Sequence, residues 1–331
     1  MNRLLVIGMS SIDTLHLKDR SVTCVGGAGM YTAMAARRCG AQVANFGPCP
    51  DPCPALLRPV EGCLMDCFGP HIDPQDVPRF EISYRRGRTE YLNLHYGAEG
   101  LLLPEMLPDD LSQYDLAHVI PVGDSVRELA FVKACRQRGV KQVSAGTFPR
   151  AVQTQPEAVR AVIDEADYFF MNQREAKTVF GSLNAARTAP GKVLFVTLGS
   201  GGAHIIQGDF CTWIAAVDAN DLDPTGAGDT FCGATLAYLL QNEHPIMAAR
   251  RAAALAAEMI EQVGPSALLA DDPPPQMAVD QRVQVNGEQV RKIAKMIAAL
   301  SGALPFPFTG PEYPEVEHPR TVDYFFAAAL Q

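Results

Sequence analysis

The sequence predicts an α/β fold with a mostly parallel central sheet and a separate hairpin, and three observations support this. Between about residues 104 and 215, short apolar runs alternate with stretches of helical length, the pattern of a parallel sheet with crossover helices. Those apolar runs contain few polar residues, as strands covered on both faces do. Residues 80–96 instead alternate apolar and polar groups around a basic turn, as a half-exposed hairpin does.

Composition bounds what such a fold can serve. A chain of 331 residues buries one large core, or one core with an appendage. Hydrophobic residues make up 47% and charged residues 20%, the balance of an ordinary globular protein. The net charge of −9, without a Lys/Arg-rich run, argues against a nucleic-acid partner and leaves small-molecule chemistry open. No apolar run approaches the ~18–20 residues of a membrane helix. Leu4-Leu5-Val6-Ile7-Gly8 is too short for a signal core, so the expected location is cytoplasmic. Nine cysteines, an odd number in a long chain, fit reduced thiols. Cys49, Cys53, Cys63 and Cys67 form two C-x3-C pairs within the range of zinc spacings. The gap between the pairs is short, and Leu64, Met65 and Phe68 read as buried strand, so small buried thiols are the preferred reading, with metal left open.

Taken in order, Leu4–Met9 is a short buried strand with Asp13 at its exit, where ligands gather in open α/β sheets and where an Asp also stabilises turns. Val25-Gly26-Gly27-Ala28 then lets backbone approach a ligand before a small-residue helix that Gly40 stops, and Gln42–Phe46 is the next strand. The hairpin follows at 80–96. Leu116–Val122, Gln142–Ala145, Tyr168–Met171, Val193–Leu198 and His204–Gln207 read as strands, with helices over Ser125–Arg138 and Pro156–Glu165. After Tyr168–Met171 comes Asn172-Gln173-Arg174-Glu175. An amide and a carboxylate there suit Mg2+ bound through waters, and equally an Asn-capped helix with a capping-box Glu. Val196-Thr197-Leu198-Gly199-Ser200-Gly201-Gly202 is a strand and a glycine turn.

Asp223-Pro224-Thr225-Gly226-Ala227-Gly228-Asp229-Thr230-Phe231 carries the strongest signal. Small residues before an apolar helix allow a tight bend that presents free amides at a helix start, a ready anion site. Asp229 at that mouth could take a proton from an attacking hydroxyl, or simply cap the helix. A second alanine-rich helix, Pro245–Val263, follows and closes at Gly264-Pro265.

These segments resemble the signatures of the ribokinase (PfkB) carbohydrate kinase family. DPTGAGD matches its C-terminal D-x-x-G-A-G-D core, and Gly26-Gly27 with the helix behind, preceded by Gly8 and Asp13, resembles its N-terminal signature. Asn172-x-x-Glu175 matches its N-x-x-E, and Val196–Gly202 its nucleotide segment V-T-x-G-x-x-G. The likeness covers roughly residues 3–269. One position departs: the family's usual asparagine in the first helix falls on Tyr31. The resemblance implies a ribokinase-like kinase domain over 1–270, a three-layer α/β/α fold with a mostly parallel central sheet and a small β-lid, the lid elements within about 80–100. It implies an ATP-dependent kinase that transfers the γ-phosphate to a hydroxyl of a sugar, sugar derivative or nucleoside. Asp229 is then the base, Thr225, Gly226, Ala227 and Gly228 the phosphate cradle, and Thr197, Gly199 and Gly202 nucleotide contacts. Asp13, Gly26, Gly27 and Tyr31 line the acceptor, and Asn172 and Glu175 hold Mg2+ through water. K+ is a further cation to test, and a homodimer an assembly to test.

Residues 271–331 start with Asp271-Asp272-Pro273-Pro274-Pro275, a linker by composition. An amphipathic helix over Asn286–Ser301, a proline-rich run over Pro305–Pro319 and an apolar helical stretch over Val322–Leu330 follow. Docking on the kinase body, pairing with another subunit and the start of a further unit all suit this stretch. The alternatives to catalysis are a sensor that binds nucleotide or sugar and a scaffold acting through the C-terminal extension. A Rossmann oxidoreductase is a weaker third reading, because no complete G-x-G-x-x-G occurs.

Overall fold

The computed structural model describes residues 2–85, 88–275 and 283–285. The chain divides into two units, Met1–Gln281 and Arg282–Gln331, and of the second only the short strand Val283–Val285 is described. The expected helices over 286–301 and 322–330 and the proline-rich run lie outside the described residues.

In the first unit the strands are β1 (Arg3–Ile7), β2 (Ser11–His16), β3 (Ser21–Gly26), β4 (Gln42–Phe46), β5 (Cys49–Pro50), β6 (Asp66–Phe68), β7 (His71–Ile72), β8 (Arg79–Arg85), β9 (Arg88–His95), β10 (Leu116–Val119), β11 (Gln142–Gly146), β12 (Tyr168–Asn172), β13 (Val193–Thr197), β14 (Ala203–Gln207) and β15 (Phe210–Ile214). The helices are α1 (Ala28–Arg38), α2 (Arg58–Glu61), α3 (Ser125–Gln137), α4 (Pro149–Thr154), α5 (Pro156–Glu165), α6 (Gln173–Phe180), α7 (Ala227–Leu240) and α8 (Pro245–Ile260).

The central sheet of this unit runs β15-β14-β13-β12-β11-β10-β1-β4-β6. From β6 to β13 every pairing is parallel, and β14 and β15 close that end as an antiparallel edge. Alternate residues of one strand enter different cores, which is what makes three layers. Leu4 and Val6 pack with α1, α7 and α8, while Leu5 and Ile7 pack with α3, α4, α5 and α6. All four are wholly buried, and each such side chain contributes about 1.5–3 kcal/mol.

A separate four-stranded sheet, β3-β2-β8-β9, contains the hairpin in which the lid is expected. β2 supplies it with an inner strand that the sequence reading took for the loop after β1, because Ser11, Asp13 and Thr14 dilute its apolar pattern. β10 stops at Val119 rather than Val122, since Pro121 has no N–H to give a ladder. The expected burial around β6 is also corrected. Met65 is 44% exposed and precedes the strand, and Leu64 and Phe68 are only partly buried. β6 is an edge strand that pairs with β4 alone, which leaves one side open. The four cysteines of that region are partly buried free thiols, and no group of three or more metal-binding side chains is found among the described residues.

α7 is apolar all round and buried along nearly its whole length, as a helix between layers must be. Glycine permits the close crossing with α1: a Cβ at Gly233 would lie 2.1 Å from the Thr32 carbonyl oxygen. Arg38 of α1 is buried and pairs with Glu258 of α8 at 2.8 Å. It also donates to the carbonyl oxygens of Ala267 and Asp272, while Arg37 pairs with Asp271 at 3.2 Å. The body therefore holds the beginning of the expected linker.

Candidate active site

The site is built around the start of α7. Gly226, just before the helix, is left-handed (φ 80°, ψ 2°), which costs glycine nothing. Thr230 N–H returns to the Gly226 carbonyl at 2.8 Å, and Ala227 N–H turns back to Pro224 at 3.2 Å. The amides of Gly226, Gly228 and Asp229 have no intramolecular partner among the described residues. Those donors, with the helix dipole behind them, remain for an anion. A Cβ added at Gly228 would meet nothing within 4 Å, so the cradle is open there.

Asp229 occupies the first turn of α7. Burial pushes its carboxyl up to about 6, which leaves it ionised at neutral pH yet more basic than an ordinary aspartate. Its position is fixed from below and from the side. Phe231 makes edge contacts at 6.4 and 6.5 Å with Phe170 and Phe195, which stack on each other at 4.6 Å, and such pairs are worth about 0.5–1.5 kcal/mol each. Thr32 of α1 donates to the Asp229 carbonyl at 3.4 Å.

Asn172 and Glu175 stand at the ends of β12 and the start of α6, where they form a complete capping box. Asn172 Oδ1 accepts from the amides of Arg174 at 2.9 Å and Glu175 at 3.0 Å, and Glu175 Oε2 accepts from Asn172 N–H at 2.7 Å. Burial, aided by the charge of Asp229 and opposed by the Asn172 bonds, pushes the Glu175 carboxyl up to about 7. The two carboxyls are thus within electrostatic reach of each other. As a donor set for Mg2+ the pair fits in one way only. Asn172 Oδ1 is spent on the cap, whereas Glu175 Oε1 stays available to a hydrated ion.

Thr197 ends β13 directly beside Asn172 in register, and its hydroxyl donates to Met171 at 3.5 Å. Gly199 beyond it is exposed and has open space where a Cβ would stand. Gly202 differs, because a Cβ there would sit 2.0 Å from the Ile214 carbonyl oxygen. The β14–β15 hairpin requires that glycine whether or not a ligand binds.

On the lid side, Asp13 lies within β2 and is 3% exposed. Burial, with the charge of Asp223 adding to it, pushes its carboxyl up to about 6. Asp13 Oδ1 and Ser11 Oγ are buried without a well-formed hydrogen bond, the Ser11 hydroxyl and Phe80 backbone standing near enough to the carboxyl to oppose the rise, and the carboxylate suits a ligand that donates hydrogen bonds. Gly26 exists for Asp13: a Cβ there would lie 1.9 Å from the carboxyl oxygen. Tyr31, the position where the resemblance has an asparagine, lies under the anion turn. It is 2% exposed, and its ring covers Gly226, where a Cβ would be 2.5 Å from the ring. The ring fills a gap between α1 and the anion turn, and burial keeps its phenol protonated.

Two lid tyrosines belong to the site and escaped the sequence reading. The Tyr84 phenol of β8 reaches Asp223 and Thr225 at 2.6 Å each. Tyr91 of β9 is 58% exposed and meets Phe80 edge-on at 6.4 Å, and partial burial with the charges of Asp229 and Asp13 pushes its phenol up. Apolar alternation marked both only as hairpin residues.

Residues 91–272 match the pfkB family carbohydrate kinase model. The chain is 26% identical over 243 residues to the cytidine kinase of Thermococcus kodakarensis, covering 71% of this chain and 87% of that one. Among solved structures it resembles a ribokinase from Cryptococcus neoformans var. grubii in complex with ADP (TM-score 0.67, 21% identity, 80% of this chain and 94% of the other). It also resembles a Burkholderia thailandensis nucleoside kinase in complex with inosine (TM-score 0.68, 20% identity, 91% and 100%).

Proposed function

Because this chain belongs to the pfkB family of carbohydrate kinases, ATP-dependent phosphotransferases of ribokinase fold, we propose that it moves the γ-phosphate of ATP to a hydroxyl of a sugar or nucleoside, with Asp229 as the base. The observation that carries this is the pairing, in one turn of chain, of unpartnered amides at the start of α7 with a carboxyl whose proton affinity burial has raised.

Phosphoryl transfer needs alignment, a proton acceptor and positive potential on the moving group, with little covalent work by the protein. Other hydroxyls of the acceptor donate to the buried oxygens of Ser11 and Asp13, which leaves the reacting hydroxyl facing Asp229. Asp229 takes its proton as the oxygen attacks. The amides of Gly226, Gly228 and Asp229 stabilise the negative charge on the transferring phosphate. Ala227 contributes through the bend, its own amide being turned back on Pro224. Thr197 and Gly199, at the exposed end of β13, border the nucleotide. Mg2+, when bound, would neutralise phosphate charge; Glu175 Oε1 is the group that would hold it, through water, and Asn172 keeps Glu175 in place.

An ATP-consumption screen over sugars, polyols and nucleosides, with and without K+, tests the proposal. Transfer to at least one acceptor, lost in Asp229→Asn, is the expected result. No turnover across the panel, despite ligand-induced thermal shifts, would favour a binding protein instead.

A further inference from the structure

We infer that Tyr84 is a positioning residue that links closure of the lid sheet to the shape of the anion turn, an inference that rests on the phosphoryl-transfer reading above. Asp223 is 0% exposed, and three segments meet on its carboxylate. Oδ1 accepts from the Tyr84 hydroxyl at 2.6 Å and from Thr225 N–H at 3.1 Å, and Oδ2 accepts from Gly264 N–H at 2.8 Å. The lid, the turn before α7 and the turn after α8 are thereby pinned to one buried charge.

The direction of each proton follows from the donors available. A carboxylate only accepts, so the phenol gives its hydrogen to Asp223. Thr225 Oγ1, 2.6 Å from the same phenol, therefore donates to the Tyr84 oxygen. The Thr225 hydroxyl hydrogen thus goes to the lid and not to a phosphate. This leaves the backbone amides as the cradle and makes Thr225 the hinge between cradle and lid.

The consequence is conformational. Bonds to a buried charged group are strong, and leaving such a group short of a donor is costly. When the lid lifts, Asp223 loses its side-chain donor and Thr225 its acceptor, directly before Gly226, where the cradle begins. The cradle is then in its working shape only while the lid is down over an acceptor. Water arriving at an open site meets a relaxed turn, which limits wasteful hydrolysis of ATP.

Tyr84→Phe removes the hydroxyl and keeps the ring. In the full-length chain with ATP and an acceptor from the panel, kcat is expected to fall about 10-fold, the scale of one charged hydrogen bond, with KM for ATP within about twofold. Hydrogen exchange is expected to quicken together in residues 79–85 and 223–228, with the unfolding midpoint close to wild type. Thr225→Val, which leaves Tyr84 on Asp223, should produce a smaller change in both readouts. It also serves if the first variant folds poorly. Unchanged kcat in Tyr84→Phe, or faster exchange in β8 with none at 223–228, would overturn the inference. If the wild-type chain transfers no phosphate, the kinase reading fails, and the exchange experiment still decides whether the lid governs the turn.

Discussion

Two glycine-containing turns open two small-residue helices in this molecule, and they serve different masters. At the start of α1, Gly27 is left-handed (φ 92°), and a Cβ there would strike the Met9 carbonyl oxygen at 2.7 Å and the Ser11 amide at 3.0 Å. At the start of α7, Gly228 has helical backbone and empty space around it. The first glycine is demanded by the protein's own packing and the second only by what binds. Similar letters before a helix can therefore report a filled joint or an open cradle, and only the surroundings tell which.

The largest expected effect lies at the open turn. Asp229→Asn keeps the shape and removes the proton acceptor, so kcat should fall at least ~10² with the circular dichroism spectrum unchanged. Near-wild-type turnover would erase the functional half of the contrast. Alanine at the two glycines sharpens it. Gly27→Ala is expected to cost about 1–3 kcal/mol in chemical denaturation, from backbone strain and the Met9 clash. Gly228→Ala should leave stability unchanged or slightly raised while lowering kcat/KM for ATP about 10-fold, because the methyl group intrudes only on a phosphate. If both variants lost stability equally, the distinction between the turns would collapse.

Smaller effects follow from pH. The carboxyls of Asp229 and Asp13 are raised from 3.8 to about 6, so the native state binds more protons than the unfolded chain between those values. These groups therefore cost stability as pH rises through that window, and the cost is complete above it. Asp229→Asn should melt higher than wild type at pH 8 and show no such gain at pH 4. Activity has the opposite slope: kcat/KM for the acceptor should rise with pH and level off above about 6, as the base ionises. A pH-independent rate between 5 and 8 would remove Asp229 as the base.

The parts of the fold that the chain writes locally were legible in the sequence. Val193–Val196 and Tyr168–Met171 are continuous apolar runs, and burial on both faces requires that pattern. The turn before α7 was legible for the same reason, its glycines and aspartate being consecutive. β2 was not, since its inward residues include Ser11 and Asp13, buried polar groups that look like loop. The packing of Tyr31 on Gly226 was not legible either, because the two meet only across the α1–α7 contact. Tyr84 was missed likewise: its partners lie 139 and 141 residues away, beyond any local pattern.

The Arg38 junction bears on how the molecule is made. Arg38 reaches Ala267 and Glu258, 229 and 220 residues later, and α1 packs on α7. β1 lies between β4 and β10, so it too awaits a distant strand. On a ribosome, the first helix emerges long before any of its partners exist, and long-range contacts of this kind form late. A chain released before about residue 272 lacks groups that Arg38 needs. Products terminated before that point should be inactive even when their sheet has begun to form.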